Sequence, residues 1–255
     1  MPDNHDYRKA LHNDIDELRV EVVRLAAMVG DVIVRATEAL LSYDMDAAAE
    51  LIMHDDEVDA LSIDIEERCF KLLALQQPMA SDLRAIVASM KINADIERSG
   101  DLMVNVAKGA RRMYGVQLPP RLRGLIQQMS DEADRLLRLA VDAFSDRNGP
   151  LGAALNDIDD RLDLLQAEFV QAIFEAHAAG DIDLQAAVQL AVICRYYERV
   201  GDHAVNIGER VRFMTDGRLP EHEGAARVKA RQAMAASAER FGVDNGDPGE
   251  APDSP

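Results

Sequence analysis

Glu97, Asp101 and Asn105 stand four residues apart, and Glu198, Asp202 and Asn206 repeat that spacing 101 positions further on. On an α-helix, residues i, i+4 and i+8 share one face at about 6 Å per step. Each trio therefore makes a column of oxygen atoms. Two further acidic pairs have the same spacing, Asp55 with Asp59 and Asp159 with Asp163. Donor sets made only of oxygen suit hard cations such as Mg, Ca, Mn or ferric iron. Zinc fits less well, because apart from His203 no His or Cys lies within these motifs. Without a cation, carboxylates gathered together raise one another's pKa, so solvent, arginines or a bound ion must offset the repulsion. A lone acidic pair is usually just a solvated helix face. Duplication is what sets these apart.

The duplication extends beyond the acidic residues. Glu97-Arg98-Ser99-Gly100-Asp101 answers to Glu198-Arg199-Val200-Gly201-Asp202, and Leu83 and Val87 answer to Leu184 and Val188 at the same offset. An offset held over two dozen residues marks an internal repeat. Gly100 and Gly201 each cost their helix about 1 kcal/mol against alanine. Two readings stand for them: close helix packing, or close approach of a ligand or another backbone.

The helices that must carry these residues follow from apolar spacing. Helix 1 is expected from about Asp6 to Ser42, with Ile15, Leu18, Val22, Leu25, Val29 and Ile33 on its inner face. Helix 2 starts at an Asp44 or Asp46 cap, carries Leu51, Val58, Leu61, Ile65, Cys69 and Leu72, and ends near Pro78. Helix 3 runs from about Ala80 to Tyr114. Gly115 to Pro120 separates the repeats. Helix 4 holds Leu122 to Phe144, helix 5 holds Leu155 to Ile173 before Gly180, and helix 6 runs from an Asp181 or Asp183 cap to Asp216. The expectation is all-α: two tandem, pseudo-symmetric three-helix bundles over 6–114 and 118–216. A tail over 217–255 adds one weak helix at Ala225–Phe241, then disorder.

Distance from each turn predicts which carboxylates meet. Asp59 and Asp55 lie 19 and 23 residues before Pro78; Glu97 and Asp101 lie 19 and 23 after it. In an antiparallel hairpin this puts Asp59 level with Glu97 and Asp55 level with Asp101, roughly 30 Å from the turn. Around Gly180 the distances are 17 and 21 back, 18 and 22 forward. Each hairpin can gather four carboxylates. On a helical wheel Glu97 and Asp101 also continue the line of Leu83, Val87, Met90 and Ala94, so the acidic column takes over an apolar stripe.

Composition narrows the partners. The 255 residues carry a net charge of −18, which argues against nucleic acid and anionic lipid. No apolar run approaches the ~18 residues of a membrane span, and the polar start lacks a signal-peptide pattern. Cys69 and Cys194 sit among apolar residues as expected buried free thiols, in keeping with a cytoplasmic location. No Glu-x-x-His pair is present, which weighs against a di-iron carboxylate oxidase or metal-storage bundle. No nucleophile, phosphate loop or triad is apparent, so catalysis is not expected.

The repeated Glu-Arg-x-Gly-Asp-x-x-x-Asn, the Gln77-Pro78-Met79-Ala80-Ser81-Asp82-Leu83-Arg84 turn and the duplicated unit resemble the PhoU-like regulators of phosphate transport, over about residues 8 to 215. The resemblance implies multinuclear metal clusters, of iron or of Mg or Mn, held by these acidic motifs. It implies a cytoplasmic, homodimeric negative regulator of the phosphate-starvation response. The implied partners are the ATPase subunit of a phosphate transporter and a membrane sensor histidine kinase. The second repeat departs from the pattern, with His177-Ala178-Ala179-Gly180-Asp181 where the first has Gln-Pro-Met-Ala.

Overall fold

The structure, a computed structural model, describes residues 4–217; the tail helix expected at Ala225–Phe241 lies outside the described residues. Within them all regular structure is helical: α1 (Asn4–Ser42), α2 (Met45–Met53), α3 (Asp55–Gln76), α4 (Ser81–Arg112), α5 (Pro120–Ser145), α6 (Gly149–Ala179) and α7 (Leu184–Asp216). Helices α1 to α4 make the first repeat, its middle helix split into α2 and α3, and α5 to α7 make the second. Both share one interior. Helices α1, α4, α7 and α5 pack in a ring, α3 lies outside on α1 and α4, and α6 lies outside on α5 and α7.

The inner face of α1 shows why the ring closes. Leu18, Val22, Leu25, Val29 and Ile33 recur every three or four residues and all are fully buried. Each such side chain contributes about 1.5–3 kcal/mol by leaving water. Three hydroxyls are buried among them. Thr37 of α1 lies 2.8 Å from Ser130 of α5 and 2.7 Å from Tyr197 of α7. The three satisfy one another, so the polar contact fixes the register of three helices without an orphaned group.

The single helix expected from Asp44 to Pro78 is instead two, α2 and α3, broken at His54. His54 sits at φ −93° and ψ 5°, so the chain turns between two helical segments. The Glu50 carbonyl accepts from the His54 backbone N–H at 3.0 Å, and the His54 ring Nδ1 lies 2.9 Å from the same oxygen. The backbone bond is the ordinary helical one, and the ring adds a second contact to the same carbonyl where α2 ends. Asp55, Asp56 and Glu57 then open α3, where carboxylates favour the positive end of the helix dipole.

The other ends follow their caps. Asp44, Asn148 and Asp183 each accept backbone N–H groups at a helix start. Gly180 closes α6 at φ +80°. The turn between α3 and α4 places two non-glycine residues at positive φ, Gln77 at 43° and Ala80 at 49°. At the other end of the molecule, Tyr43 Oη accepts from Leu118 N–H at 2.8 Å, and Arg123 donates to the Leu41 carbonyl at 2.6 Å. These bonds tie the α1–α2 turn to the link between the two units.

Candidate functional site

The two hairpins have the register that the turn distances demand. In the first, Asn93 of α4 bonds Ser62 of α3, and a Cβ on Gly100 would stand 3.6 Å from Val58. Asp59 is thus level with Glu97, and Asp55 with Asp101. In the second, Gly201 faces Asp159 and Leu162, and Gly208 faces Gly152. That sets Asp163 near Glu198 and Asp159 near Asp202.

In the first hairpin Asp55, Asp59 and Asp101 each offer a carboxylate oxygen within 4.8 Å of the others. A cation ligated at about 2.3 Å holds opposed oxygens about 4.6 Å apart, so three such oxygens fit around one ion or bridge two. Glu97 stands beside this trio without joining it. Asp55 and Asp59 are both pushed above the usual carboxylate range, first by burial and then by their acidic neighbours. Glu97 is raised by burial, then by Asp101, Asp59 and Asp55. Lys108 partly offsets the charge at Asp55.

The second hairpin gathers Asp159, Asp163, Glu198 and Asp202 more unevenly. Asp159 is pushed up to about 7, by burial first and then by Asp163, Asp202 and Glu198. Glu198 is buried and paired through one oxygen with Arg195, one turn earlier on α7. Its Oε2 and Asp159 Oδ1 are buried with no hydrogen-bond partner in the structure. Acceptors in that condition call for a donor or a cation. Asn105 and Asn206 lie one turn beyond Asp101 and Asp202, both half-buried. Both hairpins offer oxygen donors, but among the described residues only Asp55, Asp59 and Asp101 bring three of them within 4.8 Å of one another; Asp159, Asp163, Glu198 and Asp202 do not form such a trio.

The glycines resolve differently in the two halves. A Cβ on Gly100 would press on Val29 at 3.3 Å, so this glycine serves helix packing. A Cβ on Gly201 would lie 2.3 Å from Asp159 Oδ1, so this one admits the carboxylate itself against α7. His203 turns away from the acidic face. It is buried between α4 and α7, 3.0 Å from Ser99 Oγ, and burial pushes it down to about 4. Cys69 and Cys194 are buried free thiols pushed up to about 12 by burial. Arg195 was not among the expected site residues, although its i,i+3 spacing to Glu198 could have marked it.

The described residues thus form a duplicated helical bundle with carboxylates on its two outer hairpins. The PhoU domain family matches residues 22–110 and 126–211, and the chain belongs to that family. It is 34% identical over 217 residues to "Phosphate-specific transport system accessory protein PhoU homolog 1" of Mycobacterium tuberculosis, covering 85% of this chain and 97% of that one. It is also 34% identical to "PhoU homolog 2" of the same organism, over 84% of this chain and 100% of the relative. The crystal structure of PhoU from Pseudomonas aeruginosa superposes with a TM-score of 0.75 at 25% identity, covering 81% of this chain and 99% of that one. The phosphate transport system regulatory protein PhoU from Streptococcus pneumoniae gives 0.74 at 27% identity, over 84% and 98%. No described helix is long and apolar enough to cross a membrane.

Proposed function

We propose that this chain is an accessory regulator of a phosphate-specific transport system. It binds hard cations on its two acidic hairpins and holds the phosphate-starvation response off while phosphate is plentiful. In this reading it acts without catalysis, in the cytoplasm and as a homodimer. It links the ATPase subunit of the transporter to a sensor histidine kinase. The observation that carries the cation part is the convergence of Asp55, Asp59 and Asp101 within 4.8 Å. The phosphate part is supported by family membership and by the transport-system names of its relatives.

The chain's own residues have separate tasks. Asp55, Asp59 and Asp101 would hold the ion of the first hairpin, with Glu97 beside them. Asp159, Asp163, Glu198 and Asp202 would hold that of the second, with Arg195 competing for Glu198. A bound cation neutralises the repulsion that raises these carboxylates and supplies a positive centre on an otherwise acidic face. The test combines Glu97→Gln, Asp101→Asn, Glu198→Gln and Asp202→Asn in one variant. The helices should survive, because the opposite faces are untouched. Metal content by mass spectrometry should fall several-fold, and a phosphate-starvation reporter should come on in rich medium. A folded, metal-free variant that still represses fully would separate signalling from metal and refute the link.

A further inference from the structure

Between the acidic trio and the α3–α4 turn lies a groove of about 300 Å³. Asp59, Glu66 and Glu97 rim it, Ile63 and Met90 wall it, and no residue lining it is basic. Asn93, 4% exposed, also lines it. The Asn93 amide donates to the Ser62 carbonyl at 3.0 Å and to Ser62 Oγ at 2.9 Å. A carbonyl only accepts, so this bond fixes which way the amide faces. Asn93 Oδ1 is left buried and without a partner. The polar groups left free around the groove are thus oxygens. What it lacks is a donor with positive charge and an apolar stem to lie along Ile63 and Met90, as a lysine or arginine side chain has.

The neighbouring surface adds an apolar anchor. Phe70 is 54% exposed and Leu83 42%, with Val87 half-buried beside them. The hairpin register sets Phe70 at a height between Leu83 and Val87, about 12 Å from the groove along the helix axes. The second hairpin repeats the pattern. Phe174 lies as far from Asp159 in sequence as Phe70 does from Asp55, and Phe174, Leu184 and Val188 are all exposed. Phe144 and Phe169, by contrast, are fully buried. An exposed phenylalanine kept at matched height in both halves is what a contact surface requires.

We propose that the α3–α4 face is the docking site of a basic amphipathic helix from a partner protein. Its cationic end enters the groove and its apolar end covers Phe70, Leu83 and Val87. The inference rests on the reading of this chain as a regulator that works through protein partners. Charge selects the occupant. A second copy using either hairpin face would set carboxylates against carboxylates, and an anionic membrane or nucleic acid would meet the same repulsion. A cationic helix gains at both ends of the face.

The test is fluorescence anisotropy with a synthetic helical peptide of about 18 residues, long enough at 1.5 Å per residue to span groove and patch. Lysines occupy one end and Leu and Phe the other; a control peptide carries Glu in place of Lys. The lysine peptide should bind saturably, more weakly as salt rises, and the Glu peptide should not. Glu66→Lys and Phe70→Glu should each weaken binding at least about tenfold. Neither residue belongs to the acidic trio, so metal content should stay at the parent level. Peptide binding by a protein that takes up no metal would remove the cation reading and leave the docking site standing. Equal binding of both peptides, or binding indifferent to Glu66→Lys and Phe70→Glu, would overturn the docking site. A parent dimer in sedimentation that Phe70→Glu dissociates would also overturn it, because a second copy would then cover the patch.

Discussion

One side chain makes the two acidic hairpins unequal. Arg195 pairs with Glu198, while the first repeat has Ala94 at the matching position, 101 residues earlier. Glu97 therefore has no cation of this kind one turn before it, and Glu198 does. Replacing Arg195 by Ala should free Glu198 and tighten cation binding at the second hairpin, read by calorimetric titration. Asp159 gives a pH signature. Its folded value of about 7 lies above the ordinary aspartate value of 3.8, so the folded protein binds more protons between those limits. Stability of the chelator-treated protein should then fall as pH rises from about 4 to about 7. Asp159→Asn should flatten that slope in thermal melts. The i,i+4 spacing and equal turn distances were enough to expect these carboxylates together. The i,i+3 spacing of Arg195 and Glu198 allowed their pairing too, and the structure shows it made at Glu198, with Ala94 at the matching place before Glu97.

Helix pairs explain what was readable and what was not. Pro78, Gly180 and the Asp caps carry chemistry that stops or starts a helix, so those boundaries follow from residue type. The break at His54 has no proline or glycine to announce it. It is a change of backbone angle at a single residue, φ −93° and ψ 5°, which apolar periodicity does not report. Gly152 and Gly208 gave no signal either, yet they set the separation of α6 and α7. A Cβ on Gly208 would lie 2.5 Å from the Gly152 carbonyl oxygen, and backbone cannot swing aside. Gly208→Ala should cost about 3 kcal/mol in urea unfolding. Gly124 is the control. It is helical with open space around its Cβ position, so Gly124→Ala should be neutral or stabilise by about 0.5–1 kcal/mol.

At the scale of the whole molecule, the repeat in the sequence is a poor guide to independence. Two copies of a three-helix unit suggest two bodies, but one apolar cluster runs through both. Thr37, Ser130 and Tyr197 bridge the units at the centre, and Ser99 with His203 bridges α4 and α7. Residues 4–217 should therefore unfold in a single calorimetric transition. A chain cut at Val116 would expose the faces of α1 and α4 that α5 and α7 cover, and should not yield a stable monomer.

The backbone contact between Gly152 and Gly208 has a mechanical consequence. It acts as a ratchet stop: α6 cannot slide along α7 without peptide planes colliding, so the frame under Asp159 and Asp202 is stiff. The matching positions of the first half are Ala48 and Ala107, and there the outer helix is jointed at His54, one residue before Asp55. A push on the α3–α4 tip is thus transmitted to Asp55 and Asp59 through a lever with a joint, and the same push on the α6–α7 tip meets a clamped beam. Amide hydrogen exchange should read this directly, faster from His54 to Val58 than from Gly152 to Leu162.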